Sequence, residues 1–369
     1  MKSKFLRPPW LELILMLAVL LLSYIALSVI SIASQTQAEG MHPGTITLWM
    51  LAFFLISFAI GILSVIAGIG GGILFTPLMM AFTPVNSVVI RATGLIVSMF
   101  SGLMSTGFFL KKGLGNFRLC LVLMVSQGVG ALLGAQAAIA AADEFGDTGE
   151  GVIRILLGIL LAAVIIYFLH GGKKLEHPNI QHIGSITKWM KLDHSYLEES
   201  EGKVYSYKVR RIVLGLVFLL GIGFLGGFYG MGAGWAITPV QNLLLGVPMK
   251  VATANSGIIL GMGATVSVWP YILAGAIIPL FVLPWLAGQV LGGFLGSMLF
   301  VKVKVKVIRF ILIGIMAFTC FSLIADGLFR LYIMPAVPGL ISLTVFFVIM
   351  AIDILFILRL NKNNMEVKQ

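Results

Sequence analysis

Apolar runs dominate this chain, at residues 13–33, 47–67, 73–82, 87–110, 117–141 and 152–170, then 211–229, 235–245, 251–274, 277–301, 308–325 and 335–358. Most hold about 20 residues or more, enough for a helix to cross ~30 Å of hydrocarbon. Hydrophobic residues make up 59% of the chain and charged residues 11%, against about 25% charged in a soluble domain. Such a chain cannot cover itself with polar surface, so its solvent is lipid. In lipid every backbone N–H and C=O needs an internal partner, which helices of this length supply. The expected fold is an all-α polytopic membrane protein.

The net charge of +11 reads as topology rather than nucleic-acid binding. Basic residues collect in the short segments between apolar runs, as the positive-inside bias requires. The two cysteines, Cys120 and Cys320, give neither a disulfide framework nor metal-ligand spacing. His177, His182 and His194 share one polar segment without ligand spacing. No cofactor and no metal are expected. Lys2, Lys4 and Arg7 precede the first run in the manner of a signal peptide, but that run, 13–33, exceeds the usual signal core of about 7–15 residues. A retained N-terminal helix is expected.

The two halves of the chain match. Gly68-Ile69-Gly70-Gly71-Gly72 with Thr76-Pro77 aligns with Gly230-Met231-Gly232-Ala233-Gly234 with Thr238-Pro239, an offset of 230 − 68 = 162. The same offset pairs Gly61 with Gly223, Gly113 with Gly275, Gln127 with Gln289, Gly130 with Gly292 and Gly134 with Gly296. Chance predicts about one Gly–Gly pair over this stretch, and seven occur, so the chain reads as an internal duplication.

Loop charge gives the orientation. Lys2, Lys4 and Arg7, the Lys111-Lys112 turn with Arg118, the basic 171–210 segment, Lys302, Lys304, Lys306 and Arg309, and Arg359, Lys362 and Lys368 are placed in the cytoplasm. The acidic loop of Asp143, Glu144, Asp147 and Glu150 and the uncharged 273–278 turn are placed outside. Three crossings and one hairpin per half give an odd count, so the second half enters upside down. The expected architecture is two inverted-topology repeats, each with a Gly-rich broken-helix hairpin, plus extra N- and C-terminal transmembrane helices. The divisions are 1–46 (N-terminal helix and external linker), 47–170 (repeat 1), 171–210 (cytoplasmic polar loop), 211–325 (repeat 2) and 326–369 (C-terminal helix and tail).

Inverted-repeat transporters bind substrate at the repeat interface, on broken helices near the midplane. The Gly-rich segments are the natural breaks, and a helix beginning there leaves N–H groups that suit an anion. Tight helix packing is the competing reading of the same glycines. Candidate substrate-binding residues are Gly70, Gly71, Gly72, Thr76, Arg91, Thr93, Ser98 and Gln127 in the first repeat. Gly232, Gly234, Thr238, Lys250, Asn255, Ser256 and Gln289 are those of the second. Arg91 and Lys250 are the only basic residues of the hairpins. A charge in apolar surroundings marks function, with snorkelling as its alternative. The hydroxyl and amide groups are candidate donors to anion oxygens. Gln127 and Gln289 suit either the path or a helix–helix hydrogen bond. No Asp or Glu lies inside an apolar run between Thr45 and Phe300, as suits a site for an anion.

The paired Gly-rich segments, with Ala92-Thr93-Gly94 and Ala254-Asn255-Ser256 and the Lys111-Lys112-Gly113 turn, resemble the TauE/SafE family, also called toluene sulfonate uptake permeases. The resemblance spans about residues 47–325. It implies a non-enzymatic transporter that moves sulfite, sulfoacetate or other small sulfonates across the bacterial cytoplasmic membrane; export is the expected direction, and the loop charges put both termini inside. A homodimer is compatible with it. Two other readings stand beside it: a sulfur-handling membrane protein or enzyme using Cys120, and a non-transporting assembly or sensor protein using the 171–210 loop.

Overall fold

The computed structural model describes residues 43–83, 85–170, 185–190, 192–198, 203–300 and 305–335, with residues 337, 344–345 and 348–349. The expected N-terminal and C-terminal transmembrane helices lie largely outside the described residues. Ten helices are described, with one two-stranded hairpin. α1 (Pro43–Ala67) leads into α2 (Gly72–Phe82), α3 (Ser87–Lys111) and α4 (Phe117–His170). After α5 (Ser185–Met190), β1 (His194–Glu198) pairs antiparallel with β2 (Lys203–Tyr207). The chain continues through α6 (Ile212–Phe228), α7 (Gly234–Pro239) and a π-helical turn (Val240–Leu244). It then forms α8 (Met249–Leu273), α9 (Pro279–Phe300) and α10 (Val305–Arg330). Among the described residues five segments are long and apolar enough to cross a membrane: Ile46–Ala67, Ser87–Lys111, Phe117–Ala142, Met249–Leu273 and Pro279–Phe300.

Helix starts recur at a fixed spacing. α2 and α7 begin at 72 and 234, α3 and α8 at 87 and 249, α4 and α9 at 117 and 279, each 162 apart. The left-handed glycines recur likewise: Gly68 and Gly230 have φ of 69° and 67°, Gly70 and Gly232 of 80° and 70°. An L side chain at these angles crowds the following carbonyl, so glycine is what permits the chain to stop α1 or α6 and restart after four or five residues. The start of α3 is fixed by Asn86, whose side chain accepts the Val88 N–H at 2.8 Å.

Packing has the same two-part pattern. α1 lies against α9 as α6 lies against α4, α3 against α9 as α8 against α4, and α3 directly against α8. Small residues make these approaches close. A Cβ on Gly134 would sit 2.0 Å from the Phe224 carbonyl, and one on Gly292 2.2 Å from that of Phe58. Backbones this near need glycine, as in lipid-embedded helix pairs generally. For Gly130, Gly134, Gly223 and Gly292, tight packing is therefore the reading the geometry supports. The outward faces carry Leu48, Trp49, Leu51 and Leu55 on α1 and Val213, Val217 and Phe218 on α6, all exposed. Acyl chains are the solvent for such a surface.

Two expectations need correction. The acidic stretch 143–150 is not a loop: it is helical on both sides of Gly146, whose φ of 50° and ψ of −142° break α4 at one residue. Nor is the polar segment all loop. β1 and β2 pair Tyr196 with Tyr205 and His194 with Tyr207, and bury Tyr196 and Tyr207. The hairpin is seated on the helical core by a hydrogen-bond chain. Asn116 Nδ2 donates to the Leu192 carbonyl at 3.0 Å and to Tyr207 Oη at 3.3 Å, and Asn116 N–H donates to Asn255 Oδ1 at 2.8 Å. Burial raises the pKa of the Tyr207 phenol, outweighing the lowering by the Asn116 bond, so it stays neutral.

Candidate functional site

The two Gly-rich turns hold each other. Thr76 Oγ1 donates to the Gly230 carbonyl at 2.8 Å, and Thr238 Oγ1 donates to the Gly68 carbonyl at 3.2 Å. The two bonds exchange under the 162-residue shift. Further hydroxyls reinforce them. Ser98 Oγ accepts the Gly72 N–H at 3.0 Å and donates to the Met231 carbonyl at 3.0 Å. Ser256 Oγ lies 3.1 Å from the carbonyls of both Gly68 and Gly234. These side chains are all buried, where an unpaired carbonyl is costly. Each turn thus takes hydroxyl donors from the other half, with Ser98 and Ser256 also bonding within their own.

The sequence-derived donors are committed in this conformation. Thr76, Ser98, Thr238 and Ser256 bind carbonyls of the turns, and Thr93 Oγ1 donates to the Val89 carbonyl of its own helix at 2.8 Å. Asn255 bridges the Asn116 N–H and Gln241 Oε1, to which its Nδ2 donates at 2.9 Å. The turns are close-packed: a Cβ on Gly72 would lie 2.0 Å from Ser98 Oγ, and one on Gly234 2.3 Å from the Ile69 carbonyl.

The glutamines stand apart. Gln127 and Gln289 are buried at 1% and 0% exposure, and the Oε1 of each has no hydrogen-bond partner among the described residues. Gln289 reaches Ser64 Oγ with Nε2 at 3.5 Å and lies over Gly71, while Gln127 lies over Gly263. A half-turn of a terminal amide exchanges its acceptor for a two-proton donor. Beside Ser64 is a cavity of about 10 Å³, lined by Ser64, Gly68, Gly70, Ser101, Ser105 and Thr253 among others. It holds about one water molecule. Its walls mix hydroxyls and the left-handed glycines of the first turn with the apolar side chains of Val65, Phe109 and Leu260.

Arg91 and Lys250 are not brought together. α3 and α8 pack antiparallel, since Asn116 just past the end of α3 bonds Asn255 near the start of α8. Lys250, half-exposed in the first turn of α8, is at the end of the bundle away from Arg91. Arg91 is 0% exposed and packs against the second Gly-rich turn, its Cα 2.3 Å from where a Cβ of Gly230 would stand. Its partner is one that sequence reasoning missed: Nη2 donates to Glu150 Oε1 at 2.8 Å. Arg154 lies 3.7 Å from Glu150 Oε2 and binds Asp326 at 2.7 Å, and Arg330 binds Asp326 at 3.0 Å. The acidic loop that the sequence predicts around Glu150 is instead helix, and it brings this carboxylate against Arg91. A buried arginine in need of a counter-ion was the available signal for this cluster.

The paired turns, the lipid-facing helices and the buried polar centre define a multi-pass helical membrane transporter. The chain belongs to the TauE/SafE family: residues 52–323 match the family described as "Sulfite exporter TauE/SafE", with a further match over residues 3–138. It is 26% identical over 276 residues to the probable membrane transporter protein YunE of Bacillus subtilis (strain 168), covering 73% of this chain and 95% of that protein. No solved structure matches the chain.

Proposed function

We propose that this chain carries a small sulfur oxyanion, sulfite or a two-carbon sulfonate, out across the cytoplasmic membrane by alternating access between two inverted repeats. The observation that carries the reading is the reciprocal linkage of the Gly-rich turns, Thr76 to Gly230 and Thr238 to Gly68. It joins the halves at the centre of the bundle through weak, exchangeable hydroxyl bonds, beside the water-sized cavity. The antiparallel contact of α3 with α8, which start 162 residues apart, supports the inversion. We read the conformation as closed, because the two turns pack directly on one another and their hydroxyls are bound to carbonyls. Opening separates the turns and frees the hydroxyls of Thr76, Ser98, Thr238 and Ser256, with the Gly72 N–H, for the anion. Gln127 and Gln289 then turn their amide protons toward it. Family membership supports the substrate class.

Flux of sulfite, sulfoacetate and taurine into proteoliposomes tests this. Saturable flux of at least one, inhibited by the others, is expected, and absence of saturable flux of any oxyanion defeats it. The Cys120 alternative is not favoured: the thiol is 0% exposed, does not line the cavity, and its Sγ faces the Asn255 carbonyl at 3.9 Å.

A further inference from the structure

Arg91 is incompletely satisfied where it lies. Of five guanidinium N–H groups, one bonds Glu150 Oε1 at 2.8 Å, and a second reaches the Ala138 carbonyl only at 3.5 Å. Nε has no partner, and the guanidinium carbon lies 5.8 Å from the Phe228 ring centroid, a cation–π distance. Glu150 is no better placed. Its Oε1 also takes the Ser87 hydroxyl proton, while its Oε2 has no hydrogen bond and only Arg154 Nε at 3.7 Å. A fork-to-fork arginine–carboxylate pair would use two parallel bonds, and this one uses one.

The surroundings supply a second resting place for the carboxylate. Arg154, one turn along α4, already binds Asp326 and the Met80 carbonyl through Nη1, but its own Nε is unbonded. A small rotation moves Glu150 from Arg91 to Arg154 without leaving the cluster. Gly146, the break in α4, precedes Glu150 by one helical turn. Among the described residues the cluster joins Arg91, Arg154 and Arg330 with Glu150 and Asp326. The position 162 residues from Arg91 is Thr253, a wall of the cavity in the other half, so only one half carries this cation.

We propose that Arg91 binds the oxyanion and that Glu150 is a tethered competitor, occupying Arg91 in the closed state and moving to Arg154 when the anion arrives. A sulfite or sulfonate group has three oxygens and fits the Nε and Nη2 pair that Glu150 uses only by half. The inference rests on the transport reading for its substrate, and its test is binding rather than flux. Occupancy of the cation by Glu150 lowers apparent affinity by the fraction of time Arg91 is free.

The purified full-length chain is titrated with sulfite, with sulfate and chloride for comparison, by calorimetry in detergent. Glu150→Gln keeps the shape and removes the competing charge, and it is expected to bind sulfite about tenfold more tightly than the unaltered chain. Arg91→Gln in the same background is expected to abolish that gain. A purely structural brace predicts the opposite pattern: Glu150→Gln melts at lower temperature and its sulfite affinity stays within twofold, which overturns the proposal. Should Glu150→Gln not fold, Glu150→Asp withdraws the carboxylate by one methylene and is expected to tighten binding severalfold, and unchanged affinity there overturns it equally. If the unaltered chain shows no flux while Glu150→Gln gains affinity that depends on Arg91, the transport reading fails and the competitor stands. Flux with no affinity change does the reverse.

Discussion

At the scale of single residues, the linkage between the turns is lopsided in a way that can be measured. Two hydroxyls face the Gly68 carbonyl, that of Thr238 and that of Ser256, whose single proton the Gly234 carbonyl shares, whereas the Gly230 carbonyl has Thr76 alone among the described residues. Thr→Val removes the hydroxyl and keeps the shape. Thr76→Val leaves a buried carbonyl without a donor and is expected to cost about 1–2 kcal/mol. Thr238→Val leaves Ser256 in place and is expected to cost less than about 0.6 kcal/mol, the mean for one interhelical hydrogen bond in a membrane protein. Thermal unfolding in detergent, followed by thiol-reactive dye, checks the order. Equal losses would mean the two bonds are not the distinct supports seen here. The threonines were legible in the sequence because each sits in a doubled motif. Glu150 was not: it lies 59 residues from Arg91 in a polar stretch, and only the folded chain shows that α4 carries it back to α3. Pairing of two charges is a fact of tertiary structure with no local signature.

At the scale of elements, apolar length located the helices because lipid demands about 20 residues for a crossing, and few other signals compete. Breaks inside helices were harder to see. α4 was expected to open into a loop where acidic residues gather, yet one glycine bends it while the hydrogen-bonded helix continues on both sides. A φ of 50° with a ψ of −142° is a conformation that only glycine adopts at low cost. Gly146→Ala is therefore expected to destabilise the chain by roughly 1–3 kcal/mol, although nothing lies within 4 Å of the added Cβ. The penalty is backbone strain alone, so Gly146→Ala and the bulkier Gly146→Val should lose similar stability in the same unfolding assay. A much larger loss for valine would point to crowding instead. The β-hairpin was missed for another reason. Five-residue strands in a charged segment fall below what hydropathy detects, and the alternation of Tyr205 with Tyr207, which faces the core, was the one available cue.

At the scale of the whole molecule, fold and function meet in the relation between the halves. Alternating access needs a centre that both faces can reach in turn, and equivalent halves inverted about the membrane plane supply one. The equivalence is visible in helix starts spaced by 162 residues, while inversion is a statement about the two faces of the bilayer and is tested there. Gly113 and Gly275, 162 residues apart and both left-handed, end the turns after α3 and α8. The proposed inversion would place these turns on opposite faces, and the basic Lys111-Lys112 pair predicts a cytoplasmic place for the first. Ser195, exposed on β1, lies at the Gly113 end, where its neighbour His194 meets the Gly113 carbonyl at 3.3 Å. Ala274 is exposed at the other end, beside Gly275. With Cys120 and Cys320 replaced by alanine, Ser195→Cys and Ala274→Cys can be labelled one at a time with an impermeant maleimide in intact cells. Ala274→Cys is expected to react from outside, and Ser195→Cys only after the cells are opened. Reaction of both from the same side would remove the inverted arrangement. Reaction in the reversed order would keep the inversion but turn the molecule over, placing Arg91 and its carboxylate on the cytoplasmic side, where an exported anion would meet them first.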